Sequence, residues 1–182
     1  MTWFLLLPLW FVFNVLALIV APILPLFAKD TYGSIDNNNG FGVEPRLPAW
    51  LSWLMTFDNS LWGDGAFKAL HDGGYWSQVQ WLWRNSAYGF ERSVLAANIK
   101  PSDIPEVKGD PWIADKPEGK QGWCLVLIGS YWNFIWIKKY SETMCCKFEM
   151  GWKLKTYAER PDRVLTEPVA QFVVSPRITT FK

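Results

Sequence analysis

Histidine is nearly missing from this sequence: His71 is the only one in 182 residues. Cysteine is scarce and odd in number. Cys124, Cys145 and Cys146 include no pair at C-x-x-C spacing, so the sequence encodes neither a zinc ligand set nor a closed disulfide framework. Adjacent cysteines on a strand point to opposite faces, and the three thiols read as small hydrophobes in a reducing compartment. Net charge is missing too. Eighteen basic residues stand against seventeen acidic ones, which leaves no overall field to draw nucleic acid, and none is expected as a partner. Charge is wholly absent from the start of the chain: between Met1 and Ala28 no side chain is ionisable, and Asn14 is the only strongly polar one.

What is abundant is tryptophan, with thirteen residues. Rings of this kind are favoured where one edge is apolar and the other wet, so the first expectation is proximity to a membrane. As a helix, Trp3 to Ala28 rises about 39 Å at 1.5 Å per residue, enough to cross a hydrocarbon core of roughly 30 Å. Residues 1–28 therefore read as a transmembrane anchor, with Trp3 and Trp10, and later Trp50 and Trp53, at the membrane interface. Pro22 and Pro25 predict that the regular helix kinks or frays after about Val20. A secretory leader would open on Lys or Arg and close on small residues. Here no early base exists and Leu26-Phe27-Ala28 fits the cleavage pattern poorly, so the segment reads as retained. Lys29 and Arg46 come after it, which places the remainder in the cytoplasm by the positive-inside rule. The alternative is a hydrophobic helix buried in an assembly such as a virion.

Residues 29–46, KDTYGSIDNNNGFGVEPR, combine an asparagine run with glycines and read as a flexible linker. From residue 47 to the end the pattern predicts a single α+β domain: a helical part over 47–99, an irregular part over 100–122 and a mainly antiparallel β part over 123–182. In LPAWLSWLMTF, Pro48 opens a helix that carries Trp50, Trp53, Leu54 and Phe57 at i, i+3, i+4, i+7, which either packs on the domain core, the favoured placement, or lies in the headgroup region with its tryptophans inserted. A second helix, with Asp72 as its cap, runs from about Tyr75 to Asn85 with a stripe of Trp76, Val79, Leu82 and Trp83, and Gly89 interrupts the helical pattern beyond it. In WCLVLIGSYWNFIWIKKY, Gly129-Ser130 is a turn or a bulge. The next strand puts Cys146, Phe148, Met150 and Trp152 on one alternating face, and QFVVSPRITTF offers two short strands broken at Pro176, on an edge. Residues 29–98 carry five basic and seven acidic groups, net −2, and residues 123–182 nine and five, net +4.

The stretch from Phe57 to Trp76 gathers Asp58, Asp64, Asp72 and His71. These carboxylates could serve a hard cation, and His71 beside Asp72 a general base, giving a metal-dependent membrane enzyme that uses Asp58, Asp64 and His71. An EF-hand loop is excluded, because counting from Asp58 the fifth position is Trp62 and the twelfth Ala69. More residues are explained by a turn network: Asp58-Asn59 as an Asx turn, Gly63 and Gly65 at positive φ, Asp72-Gly73-Gly74 as a reversal before the next helix. Arg84 and Asn85 close it, with Asp58 or Asp64 as ion partner for Arg84. No catalytic residue, cofactor or metal site is assigned on this reading.

The runs LPAWLSWLMTFDNSLWGDGAF, YWSQVQWLWRNSAYGF, GWKL and SPRITTF resemble a family of uncharacterised membrane-associated proteins of tailed bacteriophages. That family carries a W-x-x-W-F-x-T-P-D-N-x-L-D-G-D-like run and then a W-L-x-R-N-P-A-Y-G-F-like run. Asp58, Asn59, Gly63, Asp64, Arg84, Asn85, Ala87, Tyr88, Gly89 and Phe90 match it; Phe57 stands where proline is expected, Trp62 where an acidic residue is common, and Ser86 in place of proline. The resemblance implies a source and a location, not a mechanism. It implies a phage-encoded accessory protein anchored in the host inner membrane, acting by binding on the host envelope or a defence factor, with lipid and a protein as partners. A virion structural component is the alternative.

Overall fold

The computed structural model describes residues 2–34, 41–160 and 162–180. The chain is α+β. It divides into two compact units, Met1–Val94 and Leu95–Lys182, where the sequence suggests a tether and then one domain from residue 47.

In the first unit α1 spans Thr2–Val20 and stops where the prolines require it. Pro22 has no N–H to give the Leu18 carbonyl, and Pro25 none for Ala21, so the i to i+4 ladder fails there. The chain continues through a turn into a 3₁₀ helix at Leu24–Phe27. The expected linker is largely a hairpin: β1 (Lys29–Ser34) pairs antiparallel with β2 (Phe41–Arg46), from Lys29↔Arg46 to Ser34↔Phe41. The asparagine run at 37–39 lies outside the described residues. Pairing prevails over the glycine-rich composition because Thr31, Tyr32 and Val43 suit strands and because it buries Glu44 against Lys68, 2.6 Å away.

The segment after Pro48 is a 3₁₀ helix, Ala49–Leu54, instead of the expected α-helix. At three residues per turn Trp50 and Trp53 eclipse one another, and both are exposed. Three short helices come next, α2 (Gly65–Lys68), α3 (Tyr75–Arg84) and α4 (Tyr88–Ser93). The N-cap of α3 is Gly74, not the expected Asp72, and the expected stripe on α3 is only half right. Val79 and Leu82 are buried with Ser77 and Trp81, while Trp76 and Trp83 face outward. The break between α3 and α4 falls at Ala87, φ 58°, and Gly89 lies within α4. The core of this unit joins Ala21 and Leu24 to Leu47, Met55, Leu61 and Leu82.

The second unit holds β3 (Ala97–Asn98), β4 (Glu106–Gly109), β5 (Gly122–Ile128), β6 (Tyr131–Lys139), β7 (Met144–Trp152), the short helices α5 (Lys155–Glu159) and α6 (Arg163–Thr166), β8 (Val169–Ala170) and β9 (Phe172–Thr180). A five-stranded antiparallel sheet runs β4-β5-β6-β7-β9, and β3 pairs with β8. Ile128 faces Tyr131 across the Gly129-Ser130 turn, with Gly129 at φ 58°, the positive φ that a two-residue hairpin demands. β4 gives the otherwise irregular 100–122 segment one paired strand. Instead of two strands broken at Pro176, β9 is continuous, and Pro176 sits opposite Phe148 on the sheet's outer strand, where a missing N–H is tolerated.

Alternation separates two faces. Cys124, Val126 and Ile128 of β5 and Asn133, Ile135 and Ile137 of β6 are buried. On β7 the buried residues are Cys145, Glu149 and Gly151, so Cys146, Phe148 and Met150 lie on the more open side. Trp152 does not share that side's exposure: its indole is buried and donates to the Leu95 carbonyl at 2.9 Å, next to Gly151 at φ 107°. A Cβ at Gly151 would lie 2.1 Å from the Trp132 carbonyl oxygen.

Candidate functional site

The polar stretch after Phe57 is built from caps and turns. Gly63 takes φ 87°, and a Cβ there would meet the rings of Phe67 and Trp81 at 2.8 Å. Asp64 is the N-cap of α2, its carboxylate accepting from the Phe67 N–H at 2.8 Å. Asp72 accepts from Ser77 Oγ at 2.5 Å and from the Gly74 N–H at 2.8 Å. Those two donors, Ser77 first, hold its carboxyl below the ordinary carboxylate value. His71 stacks on Phe67, ring centroids 3.8 Å apart. Asn85 caps the end of α3, its Nδ2 donating to the Trp81 carbonyl at 3.1 Å.

Other expectations for this stretch are not met. Asp58 is exposed, and the tie at its turn is Thr56 Oγ1 donating to the Asn59 carbonyl at 3.2 Å. Gly65 is simply the first residue of α2. Arg84 lies over the Trp81 ring, 5.6 Å from its centroid, and among the described residues no ion pair joins it to Asp58 or Asp64. Tyr88 stacks on Phe57 at 5.9 Å. Gly89 has a packing role: a Cβ there would lie 2.3 Å from the Ser52 carbonyl oxygen and 2.8 Å from that of Met55. Among the described residues no three His, Cys, Asp or Glu side chains form a metal-binding group.

The more organised surface in the first unit is α1 itself. Trp10, Phe13, Asn14, Ala17, Ala21 and Leu24 recur at helical spacing and are buried or half-buried. Trp10 Nε1 donates to Glu91 Oε1 at 2.6 Å. Phe13 stacks on Phe90 at 3.9 Å, and Ser86 Oγ donates to Asn14 Oδ1 at 2.9 Å. Trp83 Nε1 donates to the Leu18 carbonyl at 3.0 Å, the oxygen that Pro22 leaves without its helical partner. The Tyr75 hydroxyl donates to the Pro22 carbonyl. The opposite side of α1 is apolar and open: Leu5, Val12 and Ile19, seven residues apart, are 76%, 64% and 68% exposed.

Of the four tryptophans assigned to the membrane interface, Trp50 and Trp53 face outward, whereas Trp3 is buried and Trp10 is turned toward Glu91. Sequence reasoning does not mark Glu91, Phe90 or Trp83 as partners of α1. One signal is available: Trp10 and Asn14 are i, i+4 neighbours, so the donors of an otherwise greasy segment share one face.

The second unit offers a contrast of faces. On the open side of its sheet Trp123, Trp132, Phe134, Trp136 and Phe148 gather by register, with Trp123 and Trp136 substantially exposed. On the other side Lys147 pairs with Glu149 at 3.1 Å and with Asp115 at 3.6 Å, and Arg177 donates to Asp115 at 2.5 Å. Burial opposes ionisation of Asp115, but Lys147 and Arg177 outweigh it and hold the carboxyl below its ordinary value. Burial pushes the Cys124 and Cys145 thiols up, so both stay protonated at neutral pH and are poor nucleophiles.

These features define an α+β protein with an N-terminal apolar helix of membrane-spanning length and composition. It belongs to a family of unknown function, DUF7338, matched over residues 1–180. No curated protein and no solved structure matches the chain.

Proposed function

We propose that this is a phage-encoded accessory protein attached to the host inner membrane, acting by binding a component of the host envelope or a host defence factor. The observation that carries the reading is the outward side of α1, uncharged over its full length of about 28 Å. A soluble monomer rarely leaves so long an apolar face open. Retention of the helix is supported by Ala21 and Leu24, which belong to the core of the first unit; removing them would open that core. The phage source rests on the sequence resemblance, and a cytoplasmic position for the C-terminal residues on Lys29, Arg46 and the unpaired cysteines. Binding is favoured over metal-dependent catalysis because Asp64, Asp72 and His71 are engaged in capping and stacking. The aromatic sheet face supplies a surface for a protein partner.

Expression of the full chain in bacteria without phage particles tests this. The expected result is recovery with the membrane fraction and release by detergent. A monodisperse, soluble monomer without detergent overturns the reading, and stoichiometric recovery in purified particles replaces it with the virion alternative.

A further inference from the structure

We infer that α1 does not pass through the bilayer but lies along one leaflet, its outer face among the acyl chains and its inner face on the rest of the first unit. This deepens the membrane-attachment reading and rests on it. Contacts of α1 with α3, α4 and the turn between them include Trp10, Phe13, Asn14 and Leu18, and Tyr75 reaches Pro22 just beyond the helix. Within the helix the eight positions from Trp10 to Leu18 at 1.5 Å each place these partners beside roughly 12 Å of its axis, its middle included.

Those elements are not greasy. Arg84 ends α3 and is exposed; Glu91 and Arg92 sit in consecutive positions of α4. Were α1 to cross the membrane with its partners in place, the carboxylate that holds the Trp10 indole would sit near the bilayer centre, and Arg92, its neighbour in α4, would be carried in with that helix. Charged groups at that depth are strongly disfavoured. Unwinding α3 and α4 from α1 instead would strand the Leu18 carbonyl oxygen and the Asn14 Oδ1 in hydrocarbon without the donors Trp83 and Ser86.

An in-plane helix avoids both penalties. The charges are segregated: the outward face holds no ionisable group and suits acyl chains, while Glu91, Arg92 and Arg84 lie with the inward side, toward headgroups and water. The aromatic positions agree. Trp83 is bonded to Leu18, Trp50 meets Phe27 edge-on at 6.0 Å, and Trp53 contacts Phe90 at 6.3 Å. Three outward indoles thus flank the helix along its side, as anchors at a single interface would.

Depth measurement decides it. The full chain with Cys146→Ser, carrying nitroxides singly at Leu5→Cys, Val12→Cys or Ile19→Cys, is reconstituted into phosphatidylethanolamine–phosphatidylglycerol vesicles. Relaxation by oxygen and by a water-soluble nickel chelate then gives the depth of each label. The three are expected at one shallow depth, because they share a face and the axis is parallel to the surface. A spanning helix puts Val12 deepest and the other two near opposite surfaces, which overturns the in-plane arrangement while leaving attachment intact. Failure of the chain to bind vesicles overturns attachment as well.

Discussion

Glu44 shows how a single residue escapes local reading. It sits in a stretch whose composition suggests a linker, yet it is buried at 3% exposure and held by Lys68, 24 positions away. Removing one member of such a pair strands a charge, whereas replacing both by apolar or neutral groups is often tolerated. Lys68→Ala is expected to lower unfolding free energy by about 3 kcal/mol in urea titrations, and Glu44→Gln with Lys68→Met to recover most of it. Asp64 and Asn85 cap helix ends instead of pairing with Arg84 and closing the turns, and of this group only Gly63 was legible, because a positive φ at a tight turn is local chemistry. His71 and Arg84 were not, since the rings they lie against are set by tertiary packing. The supposed ion partner of Arg84 illustrates the error of pairing opposite charges when a nearby ring will serve.

At the level of elements, period-2 strands and a break at Gly129-Ser130, turn or bulge, could be read directly, because alternation and turn chemistry agree there. The β1–β2 hairpin was hidden by glycine and asparagine, and the 3₁₀ helix at Ala49–Leu54 was read as an α-helix because Leu54 and Phe57 extend the Trp50, Trp53 spacing to i+4 and i+7, although the helix ends before Phe57. The docking side of α1 was hidden for a different reason: a segment apolar all round has no amphipathic signal, so only Trp10 and Asn14 marked the inward face. The join between α1 and α3 has a clear test. Trp83→Phe keeps the ring but removes the donor to the Leu18 carbonyl, and the variant is expected to lose about 1 kcal/mol in detergent-solubilised thermal unfolding. A wild-type melting curve for that variant would mean that water or detergent satisfies the carbonyl equally well.

For the molecule as a whole, acid is the informative variable. Asp72 in the first unit is held by Ser77 and Gly74; in the second, the burial of Asp115 is outweighed by Lys147 and Arg177. Both therefore have folded pKa values below those of the unfolded chain. Each contributes stability that is complete above the ordinary carboxylate value, near pH 4, and is lost as pH falls through the folded value. Tryptophan fluorescence measured from pH 7 downward is expected to stay flat to about pH 4 and then report unfolding. The double variant Asp72→Asn, Asp115→Asn is expected to be less stable at neutral pH and to show a shallower dependence on acid.

The hydrogen bond between Leu18 and Trp83 also has a meaning in time. The two are 65 positions apart, and at roughly 5–20 residues per second the ribosome delivers the second several seconds after the first. Helix formation takes about a microsecond, so α1 is complete and greasy long before α3 exists to cover its inner side. Whatever receives the nascent chain in that interval, a targeting factor or the membrane itself, meets the helix bare on all sides.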